Sequence, residues 1–337
     1  MTRSSSPIEL GIETVNYCNA RCCFCPLFQG AEPLDRNIRP VTTMGRELFT
    51  KICREVGAWE EKPKVIYLNM DGEPLIDPMF AERLEVLKEY DLISLVYIQT
   101  NGQAMDAEKA EQIASSGVNS IFYALDGATP GTYEAMRVGC KFDEVFANLK
   151  EFASVRDRLG SKTCINVKYV RTAKNEHEVE QCYDMVSEFL KPGQDSFHDT
   201  ISVDWAVEGL ASDEAILNRV TDKDVLLKRK GGCTSLSSML VVHADGRVPA
   251  CCWDYNLAVN GGRDFGNANE ESLHAIWHGQ KLAALRDGIA KDVIMDKCSK
   301  CPLLYEKPES EMPRPKIARE ELIGTAPGYG YIYQFAK

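Results

Sequence analysis

Short apolar runs rich in β-branched residues alternate with amphipathic segments along the first 210 residues. The apolar runs predict strands over residues 8–13, 64–70, up to 100, from 119, 165–170 and 200–207. Between them, apolar positions recur at helical spacing, which predicts helices over residues 47–56, 79–89, 107–116, 142–158 and 177–190. Strands that alternate with helices in this way predict βα units and a parallel sheet.

The pattern changes after about residue 210. Two apolar runs between residues 238 and 252 flank Asp245-Gly246, a turn signal that predicts a β-hairpin. Residues 271–287 read as an amphipathic helix, and residues 302–337 are rich in Pro, Gly and Tyr without clear periodicity. We therefore predict three parts: a βα domain over residues 1–210, a smaller domain over 211–305 and an extended tail over 306–337.

Composition narrows the class of protein. The chain has 337 residues, of which 44% are hydrophobic, so a sizeable core can be buried. The net charge of −11 argues against nucleic-acid partners and against docking on an anionic membrane. No apolar run approaches the length of about 18 residues that spans a membrane, and the N-terminus lacks the apolar core of a signal peptide. We expect a cytoplasmic protein, in which the 13 cysteines do not form structural disulfides and the clustered ones are metal ligands or catalytic groups.

Four of these cysteines lie within the stretch YCNARCCFCP. The spacing is Cys18-x3-Cys22-x2-Cys25, with Cys23 as an additional thiol. Zinc sites usually draw four ligands from two separated pairs, and here three ligands lie on one loop. By spacing alone, zinc and an iron–sulfur cluster with one open position both stay possible.

The same stretch resembles the signature Cys-x3-Cys-x-aromatic-Cys of the radical S-adenosylmethionine (SAM) enzymes, matched by Cys18, Cys22, Phe24 and Cys25. The resemblance implies a [4Fe–4S] cluster held by three thiolates, with the methionyl part of SAM on the fourth iron. An electron from the cluster then cleaves SAM, and the resulting 5′-deoxyadenosyl radical abstracts a hydrogen atom from substrate. It also implies an external electron donor such as flavodoxin or ferredoxin.

Further positions resemble the SAM-binding segments of this family, in chain order and at predicted strand ends: Gly72, Glu73, Pro74, Thr100, Asn101, Asp126 and Arg137. The Gly-Glu-Pro segment would supply acceptors for the SAM amino group, since an ammonium needs several acceptors. Arg137 would pair with the SAM carboxylate, which a guanidinium can bind through two hydrogen bonds.

A second cysteine group lies in the C-terminal part and predicts four ligands: Cys233, Cys251, Cys298 and Cys301. By spacing these suit either tetrahedral zinc or a fully protein-ligated [4Fe–4S] cluster. Behind a radical SAM domain the layout resembles the twitch domain, a shortened SPASM module with one auxiliary [4Fe–4S] cluster. The Gly-x4-Cys spacing from Gly246 favours Cys251 over its neighbour Cys252 as the ligand.

The candidates for acid–base and hydrogen-atom chemistry are few. Asp204 and Glu208 lie at the end of the sixth predicted strand, and Asp71 directly precedes the Gly-Glu-Pro segment. Any of these carboxylates could accept the proton that a dehydrogenation releases. Cys252 could instead donate a hydrogen atom in an epimerisation.

With the resemblance, the α/β pattern predicts a partial (β/α)6 TIM-like barrel followed by a small α+β twitch domain. The expected function is a radical SAM oxidoreductase of natural-product biosynthesis that acts on a small polar substrate, such as a sugar or aminocyclitol, with electron transfer to the auxiliary cluster. The first predicted strand begins at residue 8, so we expect no leader-peptide-binding domain in front of it. A sugar epimerase, a peptide-modifying maturase with a peptide substrate and a non-catalytic iron–sulfur or zinc protein are the alternatives.

Overall fold

A computed structural model of the chain describes residues 5–27, 33–202, 232–299, 301, 304, 314–317, 322–326 and 330–335. Its described residues contain thirteen strands: β1 Glu9–Ile12, β2 Arg21–Cys22, β3 Val65–Tyr67, β4 Val96–Thr100, β5 Ser120–Ala124, β6 Arg137–Val138, β7 Cys164–Arg171, β8 Ser196–Ile201, β9 Met239–Val242, β10 Arg247–Val248, β11 Gly266–Asn267, β12 Leu322–Ala326 and β13 Gly330–Gln334. The same residues contain nine α-helices: α1 Arg46–Gly57, α2 Phe80–Glu89, α3 Ala107–Ser116, α4 Pro130–Met136, α5 Phe142–Arg158, α6 Val179–Ser187, α7 Thr234–Ser238, α8 Leu273–His278 and α9 Gln280–Ala290.

Helices α3 and α5 have the bounds that the sequence predicts, and local signals mark both ends of α3. The Asp106 carboxylate caps α3 by accepting a hydrogen bond from the Lys109 N–H at 2.8 Å. Gly117 ends this helix in the left-handed region, at φ 92°. The predicted α/β class with a parallel sheet is confirmed.

The chain divides into two compact units. The first contains Met1–Cys18, Leu34–Tyr97 and Val220–Glu306. Its strand order is β9-β1-β3-β4, and the three pairings are parallel. Leu10 and Ile12 of β1 are completely buried, which places this strand in the core of the unit.

The second unit contains Asn19–Pro33, Ile98–Arg219 and Lys307–Lys337. Its strand order continues from the last residues of β4 as β4-β5-β7-β8-β13-β12. The pairings of β7 with β5 and with β8 are parallel. Burial alternates residue by residue along β7 and β8, so one face of this sheet is covered and the other is partly accessible.

The sixth strand lies earlier than predicted. It was expected over residues 200–207, but β8 spans Ser196–Ile201, and residues 203–207 lie outside the described residues. Pairing with β7 sets the register, with Asn166 opposite Ser196 and Arg171 opposite Ile201. The apolar run at residues 200–207 gave the wrong position because the actual strand contains His198 and Asp199, two residues that are not enriched in strands.

The predicted hairpin around Asp245-Gly246 exists only as a turn. The Gly246 N–H donates to the His243 carbonyl at 2.8 Å, yet the two flanking strands take different partners. Strand β9 pairs in parallel with β1, while β10 pairs antiparallel with β11. A turn signal fixes the chain reversal, but strand partners depend on tertiary contacts.

One further expectation for the C-terminal part was wrong. The single helix over residues 271–287 is two helices, α8 and α9, which meet at Gly279. In the tail, expected to be extended, the described residues include two strands: β12 and β13 form an antiparallel pair, and β13 extends the sheet at β8. Strand pairing of this kind, over more than 100 residues of chain, leaves no local periodicity to detect.

No helix among the described residues has the length and apolar character needed to cross a membrane.

Candidate active site and cluster ligands

In the second unit, β2 and β6 hold the cysteine loop against Arg137. Cys22 pairs with Arg137 across this small antiparallel ladder, and the Arg137 Nη1 donates to the Cys22 sulfur at 3.5 Å. The Cys25 N–H donates to the Cys22 carbonyl at 3.1 Å, which closes a turn. The Phe24 ring centroid lies 5.4 Å from the guanidinium carbon of Arg137, within cation–π range. One predicted cluster ligand, Cys22, and the motif aromatic therefore meet at one arginine, and the Cys25 backbone is hydrogen-bonded to that of Cys22.

Arg137 also forms a buried ion pair with Asp126. The Arg137 Nε and an Asp126 carboxylate oxygen lie 2.5 Å apart, and Asp126 is completely buried at the end of β5. The other Asp126 oxygen accepts a hydrogen bond from the Val170 N–H at 2.6 Å. Burial raises the pKa of Asp126, and Arg137 and the Val170 N–H oppose that rise. Asp126 thus balances the charge of the guanidinium and fixes its direction.

The end of β4 lies at the same loop. The Asn101 side-chain amide donates to the Asn19 side-chain carbonyl at 2.7 Å, and the Thr100 hydroxyl accepts from the Gly102 N–H at 3.0 Å. Gly139 follows β6 with φ 100°, and a Cβ there would lie 2.7 Å from the Asn19 carbonyl oxygen. A glycine is therefore required where the chain passes the cysteine loop.

In the first unit, the Gly-Glu-Pro segment packs on the backbone that leads to Cys18. A Cβ on Gly72 would lie 2.2 Å from the Val15 carbonyl oxygen, so no larger residue fits. The Glu73 N–H donates to the Tyr17 carbonyl at 3.0 Å. The buried Glu73 carboxylate accepts from the Leu75 N–H at 3.0 Å, and Pro74 starts the short 3₁₀ turn that it caps. Cys18 ends the first segment of this unit, and the other two motif cysteines belong to the second unit.

Asp71 belongs to a buried ionic network that sequence reasoning missed. Arg39 is completely buried and lies 2.5 Å from both an Asp71 and a Glu13 carboxylate oxygen. Arg39 also donates to the Tyr255 carbonyl at 2.7 Å, and Glu13 accepts from the Ala244 N–H at 2.8 Å. This Arg39 network joins β1, the loop after β3 and the segment after β9. Arg39 lies in an irregular segment far from its partners in sequence, so no spacing pattern could reveal it.

Glu13 makes the network sensitive to pH. One guanidinium cannot neutralise two buried carboxylates, and burial raises the pKa of Glu13 from 4.5 to about 7 although Arg39 lowers it. The folded protein therefore holds a proton on Glu13 that the unfolded chain releases near pH 4.5. Because the folded state binds more protons in this window, its stability falls as the pH rises from about 4.5 to about 7.

We expect Glu13→Gln to flatten this pH dependence, since the amide does not titrate. The slope of the unfolding free energy against pH should change by up to about 1.4 kcal/mol per pH unit between pH 5 and 7. Anaerobic denaturant titrations at several pH values measure it. Glu47→Gln, at an exposed position of α1, is the matched control. An unchanged slope in Glu13→Gln would show that Glu13 does not titrate in this range.

The four predicted ligands of the second group converge on one apolar cluster in the first unit. Its buried members are Leu236, Ala250, Val259, Leu285, Ile289 and Leu304. The cysteines packed against it are Cys233, Cys251, Cys298 and Cys301. Within the described residues, no set of three or more His, Cys, Asp or Glu side chains forms a group that could hold a metal ion as placed.

The buried surroundings of these thiols favour a bound cation or cluster that compensates the negative charge of the thiolates. Burial raises the pKa of Cys298 to about 11, with Cys233 acting in the same direction, and burial also raises the pKa of Cys251. Uncompensated thiolates are unfavourable in such a place, so deprotonation requires a bound cation or cluster. A donor set of four thiols in apolar surroundings fits an iron–sulfur cluster.

Cys252 differs from its neighbour. It is not among the cysteines packed against the apolar cluster, and burial raises its pKa to about 12, with Cys233 and Asp71 acting in the same direction. The thiol therefore stays neutral at pH 7. Asp204 and Glu208, the other predicted catalytic groups, lie outside the described residues.

Comparison with known proteins defines the class. The model of the radical SAM superfamily matches residues 12–186, and that of the SPASM iron–sulfur cluster-binding domain matches residues 233–302. The chain belongs to the radical SAM superfamily and carries a SPASM domain. It is therefore a radical SAM enzyme that depends on SAM and iron–sulfur clusters, as the cysteine signature predicts.

Among named proteins, the chain is similar to the tungsten-containing aldehyde ferredoxin oxidoreductase cofactor-modifying protein of Pyrococcus furiosus. The two are 24% identical over 328 residues, which cover 87% of each chain. SuiB of Streptococcus suis bound to precursor peptide SuiA is structurally similar, with TM-score 0.63, 17% identity and coverage of 89% of this chain and 72% of SuiB. BtrN in complex with AdoMet and 2-DOIA gives TM-score 0.52, 16% identity and coverage of 85% and 88%. At such identities the structural similarities establish the fold alone.

Proposed function

We propose that the protein is a radical SAM oxidoreductase with two [4Fe–4S] clusters, one held by Cys18, Cys22 and Cys25 and one by Cys233, Cys251, Cys298 and Cys301. The observation that carries this proposal is the convergence of the last four thiols on a single apolar cluster. Four protein ligands leave no iron open to substrate, so the role that fits the second cluster is electron transfer. An external flavodoxin or ferredoxin would supply electrons.

When bound, the clusters and SAM supply an electron and a 5′-deoxyadenosyl radical that removes a hydrogen atom from substrate. The residues of the chain hold and orient these groups. Arg137, fixed by Asp126, is proposed to bind the SAM carboxylate, and the backbone around Gly72 and Glu73 is proposed to bind its amino group. Thr100, Asn101, Phe24 and Pro74 complete the proposed SAM site.

The substrate proton requires an acceptor. Asp71 is accessible to a small degree only, since it is 5% exposed and paired with Arg39. Asp204 and Glu208 are the alternatives that the sequence offers. We propose a carboxylate among these three as the base that deprotonates a substrate hydroxyl while the carbon is oxidised.

The preferred substrate is a small polar metabolite of the aminocyclitol or sugar type, whose secondary alcohol the proposed oxidation and deprotonation would act on. The second candidate is a peptide substrate, since SuiB, which has a similar fold, binds a precursor peptide. An epimerase would need a neutral thiol as hydrogen donor, and Cys252 satisfies that requirement.

Iron analysis of ligand variants tests the two-cluster proposal. Anaerobically reconstituted protein should bind about eight irons and eight sulfides, and Cys298→Ala combined with Cys301→Ala should retain about four. Because the first cluster does not use these residues, the variant should still cleave SAM when reduced with dithionite. Substrate oxidation, assayed with aminocyclitol and peptide panels, should fall to background.

Cys252→Ala is the matched control, since it removes a neighbouring thiol from the same segment. It should keep the full iron content. A loss of four irons in Cys252→Ala, with full content in Cys251→Ala, would reassign the ligand. Zinc without sulfide in the wild-type protein would refute the oxidoreductase proposal.

A further inference from the structure

The accessible face of the sheet in the second unit is polar. Its neighbouring side chains, here called the open face, come from β5, β7 and β8: Phe122, Asn166, Lys168, Ser196 and His198. Lys168 stands in register between Ala124 of β5 and His198 of β8. Parallel sheets normally carry apolar residues on both faces, so polar side chains here indicate a face built to meet a ligand.

Lys168 carries a charge without a carboxylate partner among the described residues. Its ammonium lies 3.4 Å from the Gln99 side-chain oxygen, a long hydrogen bond to a neutral group. The two charges that act on its pKa in opposite directions, Arg137 and Asp126, form the ion pair described above. Burial lowers the pKa of Lys168, with Arg137 acting in the same direction, yet the residue keeps partial exposure. An ammonium in such a place is stabilised by an incoming anion.

The neighbours of Lys168 are fixed and neutral. The His198 Nε2 lies 2.8 Å from the Ser196 hydroxyl, which donates to the Asn166 side-chain oxygen at 2.5 Å. The Asn166 amide in turn donates to the Ser120 hydroxyl. Burial, with Lys168 acting in the same direction, lowers the pKa of His198 to about 4. These groups satisfy one another and leave one positive charge on the open face.

We propose that Lys168 binds a carboxylate of the substrate on the open face of the sheet. A single positive charge is neutralised by a monoanionic carboxylate, whereas a dianionic phosphate would leave net negative charge in a partly desolvated place. The inference rests on the proposed function, and among its candidate substrates it selects those that carry a carboxylate, a sugar acid or an acidic residue of a peptide, over an aminocyclitol or a neutral sugar. The SAM carboxylate is proposed to bind Arg137 instead.

Competitive labelling of the SAM-loaded holoenzyme tests the proposal. An amine-acylating reagent modifies accessible lysines, and mass spectrometry follows Lys168 and the exposed Lys162 separately. Propionate should slow acylation of Lys168 by a factor of about 1 + [L]/Kd, which is fivefold at four times Kd. Propionamide, its neutral analogue, should not, and Lys162 should be labelled at the same rate throughout.

Two peptides separate the possible sources of the carboxylate. Acetyl-Gly-Glu-Gly-amide and its glutamine counterpart are added in place of propionate and propionamide. Stronger protection per mole by the acidic peptide would assign a peptide substrate, and stronger protection by propionate would assign a small acid. Equal labelling with and without either carboxylate would overturn the proposal.

Lys168→Gln distinguishes this site from the SAM site. The variant should bind SAM within about twofold of wild type and keep its dithionite-driven 5′-deoxyadenosine formation, because Arg137 is untouched. Loss of SAM binding would overturn the proposal by assigning Lys168 to SAM. Iron content and SAM cleavage in the wild type test the proposed function separately, so the two failures cannot be confused.

Discussion

Replacing Cys18, Cys22 or Cys25 with alanine is expected to abolish 5′-deoxyadenosine formation. The proposed cluster has three protein ligands, so two thiolates would remain to hold four irons. Each variant should lose about four of about eight irons and reduce SAM cleavage to background. Chromatographic quantification of 5′-deoxyadenosine after dithionite reduction measures the effect.

Cys23→Ala is the control for this experiment. Cys23 lies inside the same loop, but its thiol donates to the Met136 sulfur at 3.7 Å and it falls outside the family signature. The variant should retain its iron and its SAM cleavage. Full activity after removal of Cys18, Cys22 and Cys25 together would contradict the assignment of the first cluster.

Replacing Arg39 with methionine is expected to produce the largest loss of stability. Removing the guanidinium leaves Glu13 and Asp71 buried beside each other without a counter-charge, and the Tyr255 carbonyl loses its donor. Breaking a buried ionic network by removing one partner costs about 3–5 kcal/mol. Chemical denaturation of the anaerobic protein, followed by circular dichroism, measures the change in unfolding free energy.

Arg46→Met is the matched control. Arg46 forms an ion pair with Glu82 at 2.7 Å, but its side chain is 69% exposed. Exposed pairs contribute about 0–1 kcal/mol, so this variant should unfold close to the wild type. A loss of equal size in the two variants would show that the Arg39 network is no stronger than a surface pair.

The Arg39 network also changes how Asp71 is understood. From sequence, Asp71 is a carboxylate beside a SAM-binding segment and therefore a candidate base. In the structure its charge is balanced by Arg39, and its neighbour Gly72 packs on the Val15 carbonyl. Asp71 thus fixes the Gly-Glu-Pro segment whether or not it also accepts a proton.

The sequence was sufficient to predict features that depend on residues close together along the chain. The Cys-x3-Cys-x-aromatic-Cys motif carries the resemblance to the family, because a cluster loop needs its ligands within a few residues. Capping residues and the glycine after α3 mark a helix end for the same reason. The strand-to-helix alternation likewise predicts the α/β class.

Contacts between segments that are distant in the chain could not be predicted from local sequence signals. The partner of β9, the addition of β13 to β8 and the Arg39 network all join residues far apart in the chain. The surroundings of Lys168 among the described residues likewise come from separate strands. Lys168 had one signal, a charged residue at an alternating position of an apolar strand, but a lone lysine does not reveal which charges surround it. The sequence by itself determined the family and the fold class. Only the tertiary structure decided which charges of the described residues are paired, because electrostatic pairing depends on distance in space and not along the chain.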